Sequence, residues 1–454
     1  MARTKKEAAL TPEERLQAAV VPDWEWPYKL PENWCWTNWG ECGEFIAGSG
    51  FKNEYQGFTN YDIPFYKVSS LKTANETGYL CDNTNTVDET VRKKLKAALI
   101  PANSLLFAKI GEAIRLNRRA INTVPCCVDN NMMAFVPIIC QLKYVFYWSK
   151  GIDLYDFTNA TTVPAIRKTD LEKIPIPLPP LAEQQRIVDR IESLFAKLDE
   201  AKEKAQTVVD SFETRKAAIL HKAFTGELTA KWREEHGVGM DSWEHHQFSD
   251  LCAIVRGGSP RPAGDPRYYD GNIPFMKVAD ITRNDSPYVS KVEYSIKEEG
   301  LKKTRMVEAN TLMLTNSGAT LGVPAITTIR TTFNDGIAAF IGIDIDSLLF
   351  YYYFWTSKTA FLRSINMGAA QPNLNTKLIG EVEIDVPQTA ERVEIARVLN
   401  ALLSKEQQAK EAAEAVLDQI DLMKKSILAR AFRGELGTND PAEESAVELL
   451  KQIF

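Results

Sequence analysis

Two long segments of the chain carry apolar residues at alternating steps of four and three, which is the heptad pattern of a coiled coil. Each segment begins just after a proline, contains no proline, and ends at a glycine, Gly226 or Gly434, that suits a C-terminal cap. The pattern therefore predicts two long helices. The first seam comprises Ile187, Ile191, Leu194, Leu198, Ala201, Ala205, Val208, Phe212, Arg215 and Ile219, and the second comprises Ile395, Leu399, Leu402, Glu406, Ala409, Ala413, Val416, Ile420, Met423 and Ile427.

The length of these helices favours mutual pairing over packing on a globular core. Each runs for about 42 residues, or roughly 63 Å at ~1.5 Å per residue, which is too long to lie against one domain of this size. If two similar units are related by an approximate two-fold axis, the helices run antiparallel. A further hypothesis is that Arg215 and Glu406, the polar residues in the seams, pair with each other across the coil.

The regions outside the long helices mix strand-like runs with one aromatic helix each, which indicates α+β domains. The aromatic helix is expected around Tyr144–Trp148 in the first region and Phe350–Trp355 in the second. The aromatic side chains are expected in the core rather than as platforms for bases. The predicted strands are Ser104–Ala108, Met132–Pro137 and Ile174–Leu178, then Thr311–Thr315, Ile337–Ile343 and Glu381–Val386.

The second half of the chain repeats the first, and a repeat determines how the whole sequence is interpreted. Residues Pro164–Leu228 align without a gap onto Pro372–Leu436, with Ala182-Glu183 matching Ala390-Glu391. Upstream the copies diverge, although Ile63–Val68 still resembles Ile273–Val278.

The repeat predicts two variable globular domains that alternate with two long helices. Short helical segments are expected at both ends, where Thr11-Pro12 and Asp440-Pro441 resemble helix starts. The predicted boundaries are a helical segment at 1–23, a domain at 24–178, a helix with linker at 179–236, a domain at 237–386, a helix at 387–436 and a helical segment at 437–454.

Composition excludes several classes of protein. With 44% hydrophobic residues in 454, the chain can bury sizeable cores and is not disordered. No apolar stretch approaches the ~20 residues of a membrane span and the N-terminus has no apolar signal core, so we expect a cytoplasmic protein. The seven cysteines contain no C-x-x-C pair, so we expect reduced structural thiols and no metal. Buried packing is also the expectation for the adjacent Cys126 and Cys127.

Local basic clusters indicate nucleic acid even though the net charge is -6. Arginine side chains suit phosphates and guanine edges. At the equivalent rim of the second domain, uncharged side chains could read bases. The candidate DNA-binding residues are Lys109, Arg115, Arg118 and Arg119 in the first domain, with Arg256, Arg261, Arg267, Thr315, Asn316 and Ser317 in the second.

Motifs for catalysis are absent from the sequence. It contains no G-x-x-x-x-G-K-[ST] loop for a nucleotide and no Asn/Asp-Pro-Pro-aromatic motif for amino-methylation of a base. The glycine-containing stretches Gly48–Gly50 and Gly257–Ser259 are typical of turns. Any catalysis is therefore expected to come from partner proteins.

The run Ile174–Ile187 and the ending Ala223–Thr229 resemble the central conserved region of type I restriction-modification specificity subunits. The resemblance covers nearly the whole chain, although Val386–Glu391 departs from the Pro-Pro-Leu-Ala-Glu-Gln pattern. It implies two target recognition domains that read the halves of a bipartite, asymmetric DNA site, with a coiled coil setting the gap. It also adds Lys67 and Lys277, which follow the Ile-Pro-Phe strands, as DNA-facing candidates.

The resemblance further implies a non-catalytic subunit with several partners. Two modification subunits would supply S-adenosylmethionine and adenine methylation, and two restriction subunits could add ATP- and Mg-dependent translocation and cleavage. Two alternatives stay open from the residues alone: a duplicated coiled-coil scaffold that binds proteins, and an unrecognised enzyme with its active site between the domains.

Overall fold

The computed structural model describes residues 11–453 except 81, 160–162, 285, 319 and 365–373. Pro372, the first residue of the aligned second repeat, lies outside the described residues. The helices are α1 Pro12–Ala19, α2 Glu89–Lys94, α3 Leu142–Gly151, α4 Lys168–Leu171, α5 Leu181–Asp210, α6 Phe212–Phe224, α7 Ala230–His236, α8 Phe248–Leu251, α9 Val278–Thr282, α10 Glu298–Leu301, α11 Leu348–Ser364, α12 Thr376–Gly380, α13 Thr389–Ala431 and α14 Val447–Lys451. The strands are β1 Cys35–Asn38, β2 Gly43–Ala47, β3 Ile63–Tyr66, β4 Thr86–Val87, β5 Leu105–Ala108, β6 Arg119–Ile121, β7 Cys127–Val128, β8 Met132–Pro137, β9 Pro175–Leu178, β10 Glu244–Gln247, β11 Ala253–Arg256, β12 Tyr269–Met276, β13 Tyr288–Val289, β14 Tyr294–Ile296, β15 Arg305–Val307, β16 Thr311–Thr315, β17 Pro324–Thr327, β18 Thr331–Phe333, β19 Ile337–Ile341 and β20 Glu383–Val386.

The chain divides into two compact units. Unit 1 comprises Met1–Lys204 with Val416–Phe454, and unit 2 comprises Ala205–Ala415. Each unit therefore contains one globular domain together with a part of both long helices. The C-terminal segment returns to unit 1, which also contains the N-terminal domain.

Unit 1 is built around a four-stranded sheet in the order β2-β8-β5-β6, beside a smaller sheet in the order β4-β3-β7. β5 lies antiparallel to both β8 and β6, and its residues are all buried. The core centres on Trp39, whose ring contacts Phe45, Phe135 and the Trp148 ring of α3. The aromatic helix thus packs its rings into the core, as the sequence predicts.

Unit 2 repeats this plan with more strands. Its larger sheet has the order β11-β19-β16-β17-β13, and a second sheet has the order β14-β12-β18-β15. β16 lies between β19 and β17 as β5 lies between β8 and β6. Phe248 contacts Phe340 and the Trp355 ring of α11. The predicted strands are all present in the two units, with ends that differ by at most two residues.

The first long helix is interrupted once, and the second is continuous. α5 ends at Asp210 and α6 begins at Phe212, whereas α13 runs unbroken for 43 residues. At the break, the Ser211 hydroxyl donates to the carbonyl of Thr207. The Ser211 amide donates to the same carbonyl at 3.1 Å, so this oxygen accepts two hydrogen bonds, an arrangement that often bends a helix.

Within each unit the helices run antiparallel. In unit 1, Lys424 pairs with Asp199, and Asp421 pairs with Lys202, so the numbers fall along one helix as they rise along the other. In unit 2, the Arg215 Nε lies 2.7 Å from Glu406 Oε2. The Nζ of Lys410 lies 4.9 Å from the centre of the Phe212 ring. The hypothesis that Arg215 pairs with Glu406 is confirmed.

The predicted seam is correct for the first helix and partly wrong for the second. Val416 is 40% exposed, Met423 is 49% exposed, and Ala409 is also exposed. The less exposed positions in their place are Lys410, Leu417 and Lys424. The predicted seam and the observed seam, which are two phases of the same pattern, both advance in steps of four and three residues. Because residues 416 and 417 are both apolar, the sequence alone allows either phase. In the observed phase the Nζ atoms of Lys410 and Lys424 lie 4.9 and 5.0 Å from the ring centres of Phe212 and Phe195 on the first helix. The other seam residues given above are buried or half-buried.

A buried glutamate at the start of each long helix accepts a hydrogen bond from a tryptophan that directly precedes a strand of the same unit. In unit 1, Glu183 accepts hydrogen bonds from the Trp34 indole (2.7 Å) and from Asn439 (3.0 Å). In unit 2, Glu391 accepts from Trp243 (3.0 Å) and Arg233 (2.6 Å). Because Trp34 and Trp243 directly precede β1 and β10, these contacts hold the strand pairs β1-β9 and β10-β20 against the helix ends.

The helix start predicted near the N-terminus is correct, and the one predicted near the C-terminus is wrong. Thr11 caps α1 and forms a reciprocal pair with Glu14, as predicted. The expected helix start at Asp440-Pro441 is wrong, because Asp440 accepts from the Ala442 amide in a turn, and α14 begins only at Val447. This turn is tied to α5 by two hydrogen bonds of 2.8 Å from Arg186 to Glu443.

Candidate nucleic-acid interface

In unit 1, two lysines that follow strands of different sheets lie near one carboxylate. Lys67 follows β3 and Lys109 follows β5, and both side chains are half-buried. β3 pairs in parallel with β7, so Asp129, which follows β7, donates its amide to the Tyr66 carbonyl. Burial raises the pKa of Asp129, and the charges of Lys67 and Lys109 only partly offset that effect. Both lysines are therefore near enough for their charges to act on Asp129, and the Lys67 Nζ donates to Gln56 Oε1 at 2.8 Å.

The connection from β5 to β6 carries three arginines with different environments. Arg115 is exposed, lies 3.4 Å from the centre of the Tyr155 ring, and pairs with Glu112 at 2.9 Å. Arg118 is exposed and forms no ion pair with any residue that the structure describes. Arg119 is buried, donates to Asn117 (2.6 Å) and to the Ser149 carbonyl (3.2 Å), and has its pKa lowered by burial. Arg119 therefore holds the connection in place instead of facing solvent.

In unit 2, Asp335 accepts hydrogen bonds from residues in and beside the glycine-containing stretch Gly257–Ser259. Arg256 donates to its carbonyl at 2.7 Å, Ser259 donates to its carboxylate at 2.6 Å, and Arg261 approaches that carboxylate at 3.4 Å. Burial acts to raise the pKa of Asp335, but the Ser259 hydrogen bond and the two arginine charges leave it below the ordinary value. Arg267 lies apart from this group and pairs with Asp265 at 2.6 Å.

Of the remaining candidates of unit 2, Lys277 and Ser317 are half-buried, and Thr315 and Asn316 are buried. Lys277 follows β12, and its Nζ lies 3.0 Å from the centre of the Tyr294 ring. Ser317 is half-buried at the end of β16. Thr315 is buried, donating its hydroxyl to the Thr320 carbonyl and accepting from the Val323 amide, so it shapes the turn. Asn316 is buried as well.

Sequence reasoning missed the groups that support these cations. Asp335 accepts from Arg256 and Arg261. The rings of Tyr155 and Tyr294 lie against Arg115 and Lys277. The only signal in the sequence is an acid just after a short strand, which is common in loops. Cation–aromatic contacts hold a charge close to a surface without neutralising it, which suits an anionic ligand.

Metal-ligand clusters and membrane-spanning helices are absent from the residues that the structure describes. Within the described ranges no three His, Cys, Asp or Glu side chains are placed to hold a metal ion. None of the described helices is long and apolar enough to cross a membrane. The described cysteines are unpaired, and Cys126 and Cys127 are both buried, as expected. Cys81 lies outside the described residues.

A family described as "Type I restriction modification DNA specificity domain" matches the chain twice, over residues 31–208 and 240–415. The two matches together cover well over half of the 454 residues. The chain belongs to this family. The role of this family member is that of a DNA sequence-recognition subunit, and its duplicated α+β architecture with long helices agrees with the resemblance seen in the sequence.

Individual relatives of this specificity-family chain align with it over most of its length. The specificity subunit of the type I restriction enzyme EcoKI from Escherichia coli (strain K12) is 23% identical over 94% of this chain and 96% of its own length. The StySPI specificity subunit of Salmonella potsdam is 25% identical over 94% and 96%.

Solved structures of related chains share the fold. The crystal structure of the HsdS subunit from Thermoanaerobacter tengcongensis has a TM-score of 0.63 at 18% identity and covers 90% of this chain and 99% of that chain. A chain from a structural study of assembly and conformational transition in the type I R-M system has a TM-score of 0.65 at 18% identity, with 90% and 100% covered.

Proposed function

We propose that this chain reads a split DNA sequence, with residues 24–178 recognising one half and residues 237–386 the other. The observation that carries the proposal is a duplicated domain whose two copies hold unlike side chains at corresponding strand ends. Unit 1 has Lys109 directly after β5 and Ala47 at the end of β2, whereas unit 2 has Asn316 directly after β16 and Arg256 at the end of β11. Different side chains in one framework predict different half-sites.

The proposed DNA contacts are the predicted cations that solvent can reach, with one hydroxyl. Arginines and lysines at these positions would contact phosphates or guanine edges, and phosphate contacts position the protein while base contacts specify sequence. Arg119, Thr315 and Asn316 are not proposed as contacts because they are buried. The proposed contacts are Lys67, Lys109, Arg115, Arg118, Arg256, Arg261, Arg267, Lys277 and Ser317.

We also propose that the chain is non-catalytic and acts in the cytoplasm with partner subunits. Two modification subunits would provide S-adenosylmethionine and methylation of adenine, and two restriction subunits would provide the ATP- and Mg-dependent steps. The proposal is supported by the relatives of the chain, which are specificity subunits of type I restriction enzymes. The paired helices would serve as the docking frame and set the gap between the half-sites.

Footprinting tests the proposal. The chain, assembled with its modification partner, should protect two patches of a duplex that are separated by an unprotected gap. Mapping methylated adenines in the host genome would identify both half-sites and their separation in one data set. A single continuous footprint, or none, would contradict a split recognition site.

A further inference from the structure

Unit 2 contains a groove of about 710 Å³ between α6 and α11 that the proposed base-reading residues do not use. Its walls carry Lys216 from α6, with Lys358 and Arg363 from α11, against the single acid Glu213. None of these three cations has an ion pair within the described ranges. A groove with an excess of unpaired cations favours an anionic ligand.

Hydroxyl groups accompany these charges. Thr225, Thr356, Ser357 and Thr359 also line the groove. Each of these hydroxyls already donates to a backbone carbonyl, so the groups left to bind phosphate oxygens are the ammonium and guanidinium groups of the lysines and the arginine. The three cations therefore favour an anionic ligand such as phosphate, and apolar side chains such as Leu220 and Phe224 form much of the remaining lining.

The groove adjoins the connection between β16 and β17, which carries the proposed contact Ser317. Val323 and Pro324, at the end of that connection, form part of the wall. Thr359 donates to the Gly322 carbonyl at 2.6 Å, and Arg363 donates to the Leu321 carbonyl at 3.0 Å. A strand of DNA read at this connection would have its backbone close to the groove.

Unit 1 gathers cations at the corresponding place. Lys424 aligns with Lys216 in the repeat, and Lys150 lies at the end of α3 as Lys358 lies in α11. Burial, followed by the charges of Lys424, Arg119 and Lys143, lowers the pKa of Lys150. The β5–β6 connection is again tied to the aromatic helix, here by Asn117, which donates to the Ile152 carbonyl at 2.9 Å. In unit 1, Asp199 pairs with Lys424 and partly neutralises its charge. The three cations of the groove in unit 2 have no such partner among the described residues.

We infer that the groove between α6 and α11 of unit 2 binds phosphates of the DNA backbone next to the bases read at the β16–β17 connection. This inference rests on the proposed function. It adds a site that contributes affinity and orientation without reading sequence. A free phosphate compound and an acidic protein segment carry similar charge, and the test below distinguishes them.

The test is the double variant Lys216→Gln/Lys358→Gln, made in the full chain and assembled with its modification partner. Glutamine keeps much of each side-chain stem and removes the charge, and neither lysine is needed for the turn contacts above. The control is Lys222→Gln/Lys405→Gln, which removes two exposed charges from the long helices outside the groove. Affinities for the recognised duplex and an unrelated duplex are measured over a range of salt concentrations.

We expect the slope of log affinity against log salt to fall by about 1.8 in the groove variant, at about 0.9 for each phosphate contact. Both duplexes should be weakened by the same factor, and the control should retain the wild-type slope. An unchanged slope with a normal footprint would overturn the inference and leave the proposed function standing. If the wild-type assembly gives no split footprint, the proposed function itself fails.

Two further results would overturn the inference in favour of another ligand. Loss of partner assembly in the groove variant, with unchanged DNA contacts in any complex that forms, would identify an acidic protein segment. Calorimetric binding of inorganic pyrophosphate or ATP to the DNA-free wild-type chain, abolished in the variant while DNA affinity is retained, would identify a free phosphate compound.

Discussion

At the scale of single residues, Glu183 and Glu391 occupy the same position of the repeat but face different hydrogen-bond partners. Both carboxylates are buried at the start of a long helix. Glu391 has the buried cation Arg233 as a partner, whereas Glu183 accepts only from neutral donors, namely Trp34, Asn439 and Thr438. The same substitution should therefore have unequal effects at the two positions.

Glu391→Gln should destabilise unit 2 by about 3–5 kcal/mol, because it leaves Arg233 buried without a counter-charge. Its new amide group would also meet a second donor at Trp243 or Arg233. Glu183→Gln is the matched control, since its amide can donate to the Thr438 hydroxyl while its oxygen still accepts from Trp34. Urea unfolding that follows each unit separately measures both effects, and equal losses would contradict this account.

The buried carboxyl of Glu183 also predicts that the stability of unit 1 depends on pH. Burial is the largest influence on the pKa of Glu183 and raises it, although several hydrogen bonds act in the opposite direction. A raised pKa in the folded state means that the stabilising contribution of the protonated carboxyl is complete below the unfolded value and is lost as the pH rises. The stability of wild type relative to Glu183→Gln should therefore decrease between about pH 4.5 and neutral pH. A constant difference in unfolding free energy over that range would exclude this effect.

Arg118 and Arg119 are adjacent, but we expect Arg118 to contribute to DNA binding and Arg119 to contribute to the stability of unit 1. Arg118→Gln should weaken DNA binding and leave unfolding unchanged, because the side chain is exposed. Arg119→Met should destabilise unit 1 by about 1–3 kcal/mol, because it removes the donors that hold Asn117 and the Ser149 carbonyl. Thermal unfolding and DNA titration of both variants check this pair, and the reverse pattern would show that the DNA-facing residue is misassigned.

At the scale of elements, the Arg215–Glu406 pair links the two helices within unit 2. Both side chains are partly exposed, so a double-mutant cycle with alanine should give a coupling of about 1 kcal/mol or less, above the error of the measurement. The cycle is read from urea unfolding of unit 2. Lys204 and Glu200, an exposed pair within one helix, provide the reference. Zero coupling would mean that the contact contributes nothing to helix pairing.

The phase of the second helix can be tested with two adjacent residues. Leu417 lies in the less exposed phase and Val416 is 40% exposed, so Leu417→Ala should cost about 1–2 kcal/mol and Val416→Ala less than about 0.5 kcal/mol. Unfolding of unit 1 measures the difference. A larger loss for Val416→Ala would restore the seam predicted from the sequence.

At the scale of the whole molecule, the paired helices are proposed to set the gap in the recognised sequence. Residues 198–204 and 419–425 face each other in unit 1, as the pairs Asp199–Lys424 and Lys202–Asp421 indicate. Deleting both heptads keeps the seam in phase and removes about 10.5 Å of helix, or about three base pairs. Methylation mapping should show a shorter gap between unchanged half-sites, and an unaltered gap would refute the spacing role. Deleting either heptad alone is the control for misaligned helices.

Exchanging one domain tests whether each of the two domains reads its own half-site. Replacing residues 24–178 with the corresponding region of another family member should change one half-site and leave the other as it was. The methylated positions in the genome report the outcome directly. A change in both half-sites would mean that the two domains do not read DNA independently.

The sequence by itself determined the features that depend on local pattern and repetition. The heptads specified the long helices, the buried β5 and β16 were visible as apolar runs, and the repeat of Ala182-Glu183 in Ala390-Glu391 defined two equivalent units. These signals are strong because helix period, strand burial and duplication are all written in consecutive residues.

Only the tertiary structure decided which side chains reach solvent and which partners they have. Arg118 and Arg119 are neighbours of the same type, yet one is exposed and the other is buried under the end of the aromatic helix. The choice between Val416 and Leu417 depended likewise on the facing helix, and the role of Asp129 on the parallel pairing of β3 with β7. The physical reason is that burial and electrostatic compensation arise from residues far apart in the chain, so no local window of sequence contains them.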